Sequence, residues 1–404
     1  MNDKNLGNPW TSEDEGDHFP VGLEWWCTEG FFKSSEDGKN WSFKTVFSIG
    51  LKGKKDHVFF ITLFDVDNGT YFTYRIYEEP EKVRHKKNRT DIECNGSNIK
   101  GIYPNYSMYL HDKKNDIVLD LQFKAETLPH WVSQEITDGV LPMGMGFYRY
   151  GFIPKCNLSG TMKIKNKVFT THGHGYVEHV WGEWSYSNPL SKLKELNKTI
   201  PTYGKLAKWW LSENKIRIPK SITFSTENNP FGYDWTWAVF ENGWSLFYGN
   251  IMFWIMDGPA AGVLYLTLDH NTYLEFGNIT FHYNKMRRSK NYDFFYPSDF
   301  ELVAYNGEKK LKLRFTMTTE TYEYIKKFNG QKYWLAFIIC ESVGKVSGCF
   351  FDGKNEIRLN GMCRIEPQRQ VSILGHNFLK LDFLILSQTL IWSYKDFLQQ
   401  IAYF

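Results

Sequence analysis

The sequence lacks the features that mark several large protein classes. It contains no apolar run of ~18 residues, the length that an ordinary membrane-spanning helix needs. The N-terminal residues are polar and acidic, unlike the apolar core of a secretory signal peptide. The 6 cysteines include no Cys-x-x-Cys pair, so we expect free thiols in a reducing compartment rather than a disulfide framework. Together these absences predict a cytoplasmic protein.

The motifs of common catalytic classes are also missing. No Gly-x-Ser-x-Gly elbow, phosphate-binding glycine loop or dinucleotide fingerprint occurs, which argues against serine hydrolases and nucleotide-dependent enzymes. The formal net charge is only +3, and basic residues are interleaved with acidic ones along the chain. No nucleic-acid partner is therefore expected.

Aromatic residues are abundant instead, at 18% of the chain. They lie in short runs with β-branched residues, separated by turns such as Asp37-Gly38 and Asn68-Gly69. This pattern predicts an all-β protein built from antiparallel barrels or sandwiches. Because 404 residues exceed the usual size of a single hydrophobic core, we expect two domains, 1–215 and 216–404.

Two segments have helical rather than strand-like spacing of apolar residues. Residues 190–214 contain Pro201, so we expect two short helices that link the domains. Residues 384–404 are expected to form a C-terminal helix packed on the second barrel. The alternative for this terminal stripe is a surface for a partner or for peripheral contact with a membrane, from which a lipid substrate would be collected.

The two domains carry traces of an internal duplication. The matching positions, each pair 188 residues apart, are Ser159 and Ser347, Gly160 and Gly348, Gly173 and Gly361, and Glu178 and Glu366. A shared offset at separated points indicates tandem units. The second copy keeps the carboxylate but lacks the histidines and the tyrosine that precede it. Divergence after duplication would leave the chemistry in the first copy.

The segment 172–182 is the most unusual part of the sequence. In an extended strand, alternate residues share one face. One face would then carry four side chains able to do chemistry: His172, His174, Tyr176 and Glu178. The opposite face contains Gly173 and Gly175, and glycine inside a strand marks a bend or a close approach by another group.

Three motifs resemble those of the AttH-like and carotenoid 1,2-hydratase superfamily. They are Glu-Trp-Trp at 24–26, the block Gly-His-Gly-Tyr-Val-Glu-His-Val-Trp-Gly at 173–182, and Tyr-Asp-Trp-Thr-Trp at 233–237. The matches come in family order. The sequence departs from the family at Glu178, where aspartate is usual, and at Cys27, where an aromatic residue follows the tryptophan pair.

The resemblance implies a fold of two tandem lipocalin-like antiparallel β-barrels. It also implies an activity on hydrophobic small molecules, without a metal or other cofactor. Known members of the superfamily add water to a terminal isoprenoid double bond or close rings in natural products. We therefore expect a lyase or isomerase acting on an isoprenoid-like or polyketide-like ligand.

Glu178 is the candidate general acid for such a reaction. Protonating an alkene carbon requires a carboxyl group that stays protonated near neutral pH, and an apolar aromatic pocket raises the pKa of a carboxyl. His172, His174 and Tyr176 are candidates to relay the proton or to position water. The alternative is a structural acid, bonded to His172 or Tyr176, that ties the strand to its neighbour.

A second set of residues is expected to line the ligand pocket. Its members are Trp25, Trp26, Trp181, Trp235, Trp237 and Asp234. Aromatic faces stabilise a developing carbocation, but tryptophans near strand ends also plug barrels, so part of the set is expected to be core. For Asp234 we favour a turn residue that caps its strand over a second acid.

Two alternatives stay open on the sequence alone. The spacing of His172, His174 and Glu178 would also suit a zinc or iron site, although we expect no metal. The other alternative is a non-catalytic carrier of the same kind of ligand. Only an enzyme needs an ionisable group aimed into the aromatic pocket.

Overall fold

Two large antiparallel sheets make up most of the chain. The computed structural model describes residues 4–5, 10–50, 57–184, 192–213, 231–253, 259–291, 294–326 and 335–372. One sheet forms a nearly closed barrel and the other a half-barrel, consistent with two tandem lipocalin-like barrels. The predicted all-β fold class is therefore confirmed. All six cysteines are free thiols.

The first sheet, called barrel 1, contains 13 strands. In chain order they are β2 (Leu23–Ser34), β3 (Asn40–Gly50), β4 (His57–Asp65), β5 (Thr70–Glu78), β6 (Val83–Arg84), β7 (Thr90–Cys94), β8 (Ser97–Ile102), β9 (Asn105–Asp112), β10 (Ile117–Ala125), β11 (His130–Trp131), β12 (Val140–Met143), β13 (Gly146–Ile164) and β14 (Lys167–Glu183). Their order across the sheet is β5-β4-β3-β2-β14-β13-β10-β9-β8-β7-β6, and β11 and β12 pair with β13. The long strand β14 thus lies between β2 and β13.

The second sheet, called barrel 2, contains 11 strands. They are β1 (Lys4–Asn5), β15 (Phe231–Phe240), β16 (Ser245–Phe253), β17 (Pro259–Thr267), β18 (Thr272–Phe276), β19 (Asn278–Arg288), β20 (Phe295–Asn306), β21 (Lys309–Met317), β22 (Tyr322–Lys326), β23 (Leu335–Phe351) and β24 (Glu356–Ser372). The order is β1-β18-β17-β16-β15-β24-β23-β21-β20-β19, with β22 paired to β23. Its first strand comes from the N-terminal end of the chain.

Within the described residues, the helices are few and mostly short. They are α1 (Ser12–Glu15), α2 (Gln134–Thr137) and α3 (Leu196–Glu213), with 3-10 turns at Pro80–Lys82 and Leu193–Glu195. None of these helices is long and apolar enough to cross a membrane. The predicted C-terminal helix at 384–404, and any membrane contact it would make, lies outside the described residues.

The prediction of two linker helices broken at Pro201 is wrong. A single helix, α3, continues through Pro201. Pro201 is the sixth residue of the helix, just beyond the four N-terminal backbone N–H groups that have no helical partner. Its missing N–H therefore removes only one helical hydrogen bond, and the following turns continue.

The internal duplication is visible as two equivalent hairpins. Strands β13 and β14 correspond to β23 and β24, and the second strand of each hairpin pairs with the first long strand of its own unit. A Cβ atom added at Gly173 would lie 2.0 Å from the carbonyl oxygen of Phe31, and one at Gly361 would lie 2.1 Å from that of Val239. Both copies thus use glycine where a neighbouring backbone approaches closely.

Buried apolar residues form three clusters, one inside each barrel and one between them. The third, called the inter-barrel cluster, contains residues from both sheets: Phe31, Phe64, Val132, Phe152, Tyr176, Trp235, Trp237, Val239, Phe247, Tyr265, Tyr273 and Val343. All of these side chains except three valines are tyrosine, tryptophan or phenylalanine. Aromatic rings from both sheets thus lie between the two units.

Substitution of Gly173 tests the facing of β14. We expect Gly173→Ala to lower the free energy of unfolding by about 1–3 kcal/mol, because the added methyl group meets a backbone oxygen. Gly204→Ala in α3 is the matched control, since nothing lies within 4 Å of a Cβ added there. Replacing this helical glycine should stabilise the protein by up to about 1 kcal/mol. Urea unfolding measures the stability of both variants. Equal unfolding free energies for Gly173→Ala and Gly204→Ala would contradict the assigned facing of β14.

Candidate functional site

Strand β14 directs its side chains alternately into barrel 1 and toward barrel 2. Val177 packs in the core of barrel 1, whereas Tyr176 belongs to the inter-barrel cluster. Glu178 follows the same alternation as Tyr176 and is 6% exposed. The structure thus places this acid at the junction of the two barrels, beside the aromatic cluster.

Three neighbouring side chains donate hydrogen bonds to the Glu178 carboxyl group. Trp25 Nε1 donates to Oε1 at 2.7 Å, and the Tyr176 hydroxyl donates to Oε2 at 2.8 Å. The Tyr150 hydroxyl also donates to Oε2, and it accepts in turn from Trp235 Nε1 at 3.0 Å. Strands of both barrels therefore contribute to one hydrogen-bonded set of side chains, called the Glu178 group.

Burial and hydrogen bonding act in opposite directions on Glu178. Removal from water raises the pKa of the carboxyl, while the hydrogen bonds from Trp25 and Tyr150 and the charge of Lys44 lower it. Burial has the larger effect, so the pKa of Glu178 is raised overall. Burial also raises the pKa of Tyr150 and Tyr176 well above the ordinary range, which keeps both hydroxyls protonated as donors.

The predicted pocket tryptophans divide between two places. Trp25 and Trp235 belong to the Glu178 group, and the Trp237 ring lies 5.6 Å from that of Tyr176. Trp26 and Trp181 lie instead on the barrel-interior side, where both belong to the core cluster of barrel 1. Neighbouring residues of a strand face opposite sides, so the Trp25-Trp26 pair cannot serve one pocket.

His172 and His174 are not brought into the Glu178 group. His172 is exposed on β14, near the end where the strand pairs with Lys33 of β2. His174 is half-buried, and burial together with the charge of Lys155 lowers the pKa of its ring. The three donors of the metal site considered from the sequence are therefore not assembled. The geometry does not support His172 and His174 as proton relays for Glu178.

The histidine on the opposite face of β14 takes part in a different group. Glu24 Oε1 lies 2.8 Å from His179 Nε2 and 3.0 Å from His18 Nδ1. The His179 ring stacks on Trp26, with centroids 4.5 Å apart, and the His18 ring stacks on Trp181 at 3.8 Å. Burial alone would raise the pKa of Glu24, but the hydrogen bonds from His179 and His18 lower it overall.

Asp234 is not a turn residue, and the prediction that it caps its strand is wrong. It lies within β15 and is buried, with Oδ1 2.8 Å from Arg369 Nη2. The Tyr283 hydroxyl donates to its other oxygen at 2.7 Å. Because Trp235 and Trp237 face barrel 1, the alternation of β15 turns Asp234 into barrel 2. There the buried carboxylate of Asp234 is stabilised by its ion pair with Arg369, which is also buried.

Tyr150 and Lys44 are the members of the site that the sequence did not reveal. Tyr148, Tyr150 and Phe152 alternate along β13, and this period-two aromatic stripe is the signal that would have indicated Tyr150. Lys44 gives no such signal, because a lysine in an alternating strand ordinarily points to solvent. Its burial follows from the second barrel, which no local pattern encodes.

Lys44 lies in a buried ionic group next to the Glu178 group. Its Nζ lies 3.2 Å from Glu29, 3.9 Å from Glu341 and in very close contact with Glu366. Arg364 pairs with Glu29 at 3.4 Å and with Glu341 at 3.2 Å. These five side chains, called the inter-barrel ionic group, join β2 and β3 of barrel 1 to β23 and β24 of barrel 2.

The inter-barrel ionic group contains three carboxyl groups and two cations. Burial raises the pKa of Glu29 and of Glu341, although Lys44 and Arg364 oppose the shift. Burial also disfavours the charge of Lys44, but Glu366 and Glu29 more than compensate and raise the pKa of Lys44 well above its usual range. Lys44 is thus a fixed buried cation that also acts on Glu178.

The surface carries a cleft that is separate from these groups. It has a volume of 430 Å³ and is lined by Val83, Arg84, His85, Lys86, Asp91, Glu93 and Lys100. Most of these side chains are charged, so the cleft does not have the apolar lining expected for a hydrophobic ligand. None of the predicted site residues lines it.

The chain resembles known proteins in structure and not in overall sequence. No family model and no curated protein matches the sequence. Among solved structures, an AttH-like protein from Nitrosomonas europaea matches with a TM-score of 0.61 at 15% identity, covering 89% of this chain and 97% of that one. Kievitone hydratase from Nectria haematococca matches with a TM-score of 0.58 at 12% identity, covering 91% and 97%.

A third solved structure, CghA with Sch210972, matches with a TM-score of 0.52 at 10% identity, covering 93% of this chain and 96% of that one. The chain has the AttH-like fold. The resemblance noted in the sequence motifs is thereby confirmed at the level of structure. At these identities the likeness concerns the fold, and the chemistry has to be argued from the site itself.

Lys44→Met tests whether the inter-barrel ionic group holds the two units together. Removing the cation leaves buried carboxylates without a partner, so the free energy of unfolding should fall by about 3–5 kcal/mol. Lys44→Met/Glu366→Met removes both partners of the closest pair and should be more stable than the sum of the two single changes predicts. Lys163→Met, at an exposed position on β13, is the control and should change stability by less than about 0.5 kcal/mol. Additive effects in the double variant would show that the pair is not coupled.

Proposed function

We propose that this protein is a lyase- or isomerase-type enzyme that protonates a hydrophobic small molecule, with Glu178 as the general acid. The substrate would be an isoprenoid-like or polyketide-like alkene, which is hydrated or cyclised. It would bind where the Glu178 group meets the inter-barrel cluster. One of the proteins that share the fold is named a hydratase, which supports a lyase-like role.

The observation that carries this proposal is the environment of one carboxyl group. Glu178 is buried among aromatic rings, and its pKa is raised by that burial. Its three hydrogen-bond donors, Trp25, Tyr150 and Tyr176, are neutral side chains. A salt bridge would fix the carboxylate form, whereas this environment allows the protonated acid to persist toward neutral pH.

The two oxygens of Glu178 are not equivalent. Oε2 accepts from both tyrosine hydroxyls, while Oε1 accepts from Trp25 alone. A carboxyl oxygen has two lone-pair sites, so Oε1 is the oxygen with room for the transferable proton. Transfer to an alkene carbon would leave a carboxylate already held by three donors. The same bonds that oppose the raised pKa therefore stabilise the conjugate base as it forms.

The aromatic rings would stabilise the cation that protonation creates. Trp25 and Trp235 bond to the Glu178 group through their Nε1 atoms, which fixes both rings beside the acid. A carbocation near such faces is stabilised by cation–π attraction. In hydration, water would add to the cation and its extra proton would return to the Glu178 carboxylate. In ring closure, an internal double bond would attack the cation, and the new cation would lose a proton to the same carboxylate.

A carrier of hydrophobic ligands is the second candidate function. The inter-barrel cluster would bind such a molecule equally well without any acid. The two functions differ in what Glu178 does, because a carrier needs only the shape and apolarity of the site.

Glu178→Gln separates the two functions. Glutamine keeps the shape and accepts hydrogen bonds but cannot donate an acidic proton, so turnover should fall by about 10²–10⁴-fold while ligand binding changes little. Wild-type activity should also decline as pH rises through the raised pKa of Glu178, since only the protonated form acts. The measurement is conversion of a hydrophobic metabolite extract, followed by mass spectrometry.

The matched control is Glu183→Gln, the same substitution on the same strand. Glu183 bonds to Gly22 and Lys192, outside the Glu178 group, and its variant should keep full turnover. Conversion that survives in Glu178→Gln would remove the acid from the mechanism. Binding of one extract component without conversion by any variant would favour the carrier.

The source of the proton can be tested in deuterated water. If Glu178 protonates carbon, the product should contain one non-exchangeable deuterium, because the acid equilibrates with solvent before each turnover. Nuclear magnetic resonance of the purified product locates that deuterium. A product without deuterium would indicate a ring closure driven by orientation in the pocket, without proton transfer to carbon.

A further inference from the structure

Three side chains from separate segments converge on the barrel-interior side of β14. Glu24 comes from β2, His179 from β14, and His18 from the segment that follows α1. Glu24 Oε1 lies 2.8 Å from His179 Nε2 and 3.0 Å from His18 Nδ1. The three ligand atoms all lie within 4.8 Å of one another. Two imidazoles and one carboxylate are a common donor set for transition metals.

The short contact between His179 and Glu24 requires a proton or a metal ion between the two groups. Nδ1 lies 2.8 Å from the backbone oxygen of Asp14, and a carbonyl oxygen can only accept, so Nδ1 carries a proton. In a neutral ring, Nε2 then carries no proton, and its lone pair faces an oxygen of Glu24. Two lone pairs at this distance repel each other unless a proton or a metal ion lies between them.

The surroundings orient the donors in the way metal ligands are usually oriented. The bond from His179 Nδ1 to a backbone carbonyl fixes the tautomer that presents Nε2. Stacking on Trp26 and Trp181 fixes the planes of the two imidazole rings. Glu24 and His179 are fully buried, whereas the His18 side chain is 23% exposed and leaves a side through which an ion can enter.

We propose that His18, Glu24 and His179 bind one divalent first-row transition ion, such as Fe²⁺ or Co²⁺. Water or a small ligand would occupy the remaining positions. The site lies on the opposite face of β14 from Glu178, so it does not depend on the function proposed above. It also differs from the set His172, His174 and Glu178 considered from the sequence.

Cobalt binding by the full-length protein tests this site directly. Protein stripped with a chelator is titrated anaerobically with Co²⁺, and retained metal is counted after gel filtration. We expect one equivalent of retained cobalt. His18→Gln should weaken binding at least about tenfold, because it removes the exposed ligand and leaves the buried pair in place. His282→Gln, at an exposed position of barrel 2, is the control and should bind like the wild type.

Two results would overturn the proposal. The first is wild-type protein that retains no cobalt, a result that stands whether or not the variant folds. The second is binding that His18→Gln leaves unchanged in a folded variant, as judged by circular dichroism. Nitrogen-15 resonances showing His179 protonated at both ring nitrogens would then show that a proton, and no metal ion, lies between His179 and Glu24.

Discussion

The structure depends on the burial of strand β14, whose central residues have no side in contact with solvent. From Tyr176 to Val180, strand β14 is buried on both sides, by the core of barrel 1 and by the inter-barrel contact. Every polar side chain in this stretch must therefore find its partner within the protein, because an unpaired buried polar group is costly. Glu178 and His179 are neighbours in sequence, yet they meet entirely different partners. The alternation of one strand thus creates two separate polar groups.

The electrostatics of the junction between the barrels follow from the same burial. Charges removed from water are tolerated only when they are paired or neutralised. Lys44 and Arg364 pair with carboxylates, while the excess of acidic groups is accommodated by raised pKa values at Glu29, Glu341 and Glu178. The raised pKa of Glu178 is therefore a consequence of how the two units dock. Separation of the barrels would expose the group to water and remove that property.

The sequence predicts much of this architecture because the strands, the repeat and the close backbone contacts each leave a pattern in the residues themselves. Alternating aromatic runs indicated the strands, the 188-residue offset indicated the duplication, and glycine at 173 and 361 marked close backbone contacts. The site was only half predictable. Glu178, Tyr176, Trp25 and Trp235 meet as their motifs suggest. Tyr150 reaches Glu178 from the neighbouring strand β13, through a strand pairing that no motif specifies. The burial of Lys44 depends on the docking of the barrels, because it pairs with Glu366 of barrel 2. Asp234 was misassigned for a similar reason, since its arginine partner is 135 residues away.

The duplicated acids show how docking gives one sequence pattern two different environments. Glu178 and Glu366 occupy equivalent positions, and both are almost fully buried. Lys44 of barrel 1 reaches across to pair with Glu366, while its influence on Glu178 is only a secondary one. Glu366 therefore has a direct cationic partner, and Glu178 has three neutral donors instead. An ion pair suits a carboxylate that joins two domains, and neutral donors suit the general acid proposed for Glu178. The asymmetry between the copies lies less in the acids themselves than in which barrel supplies the cation.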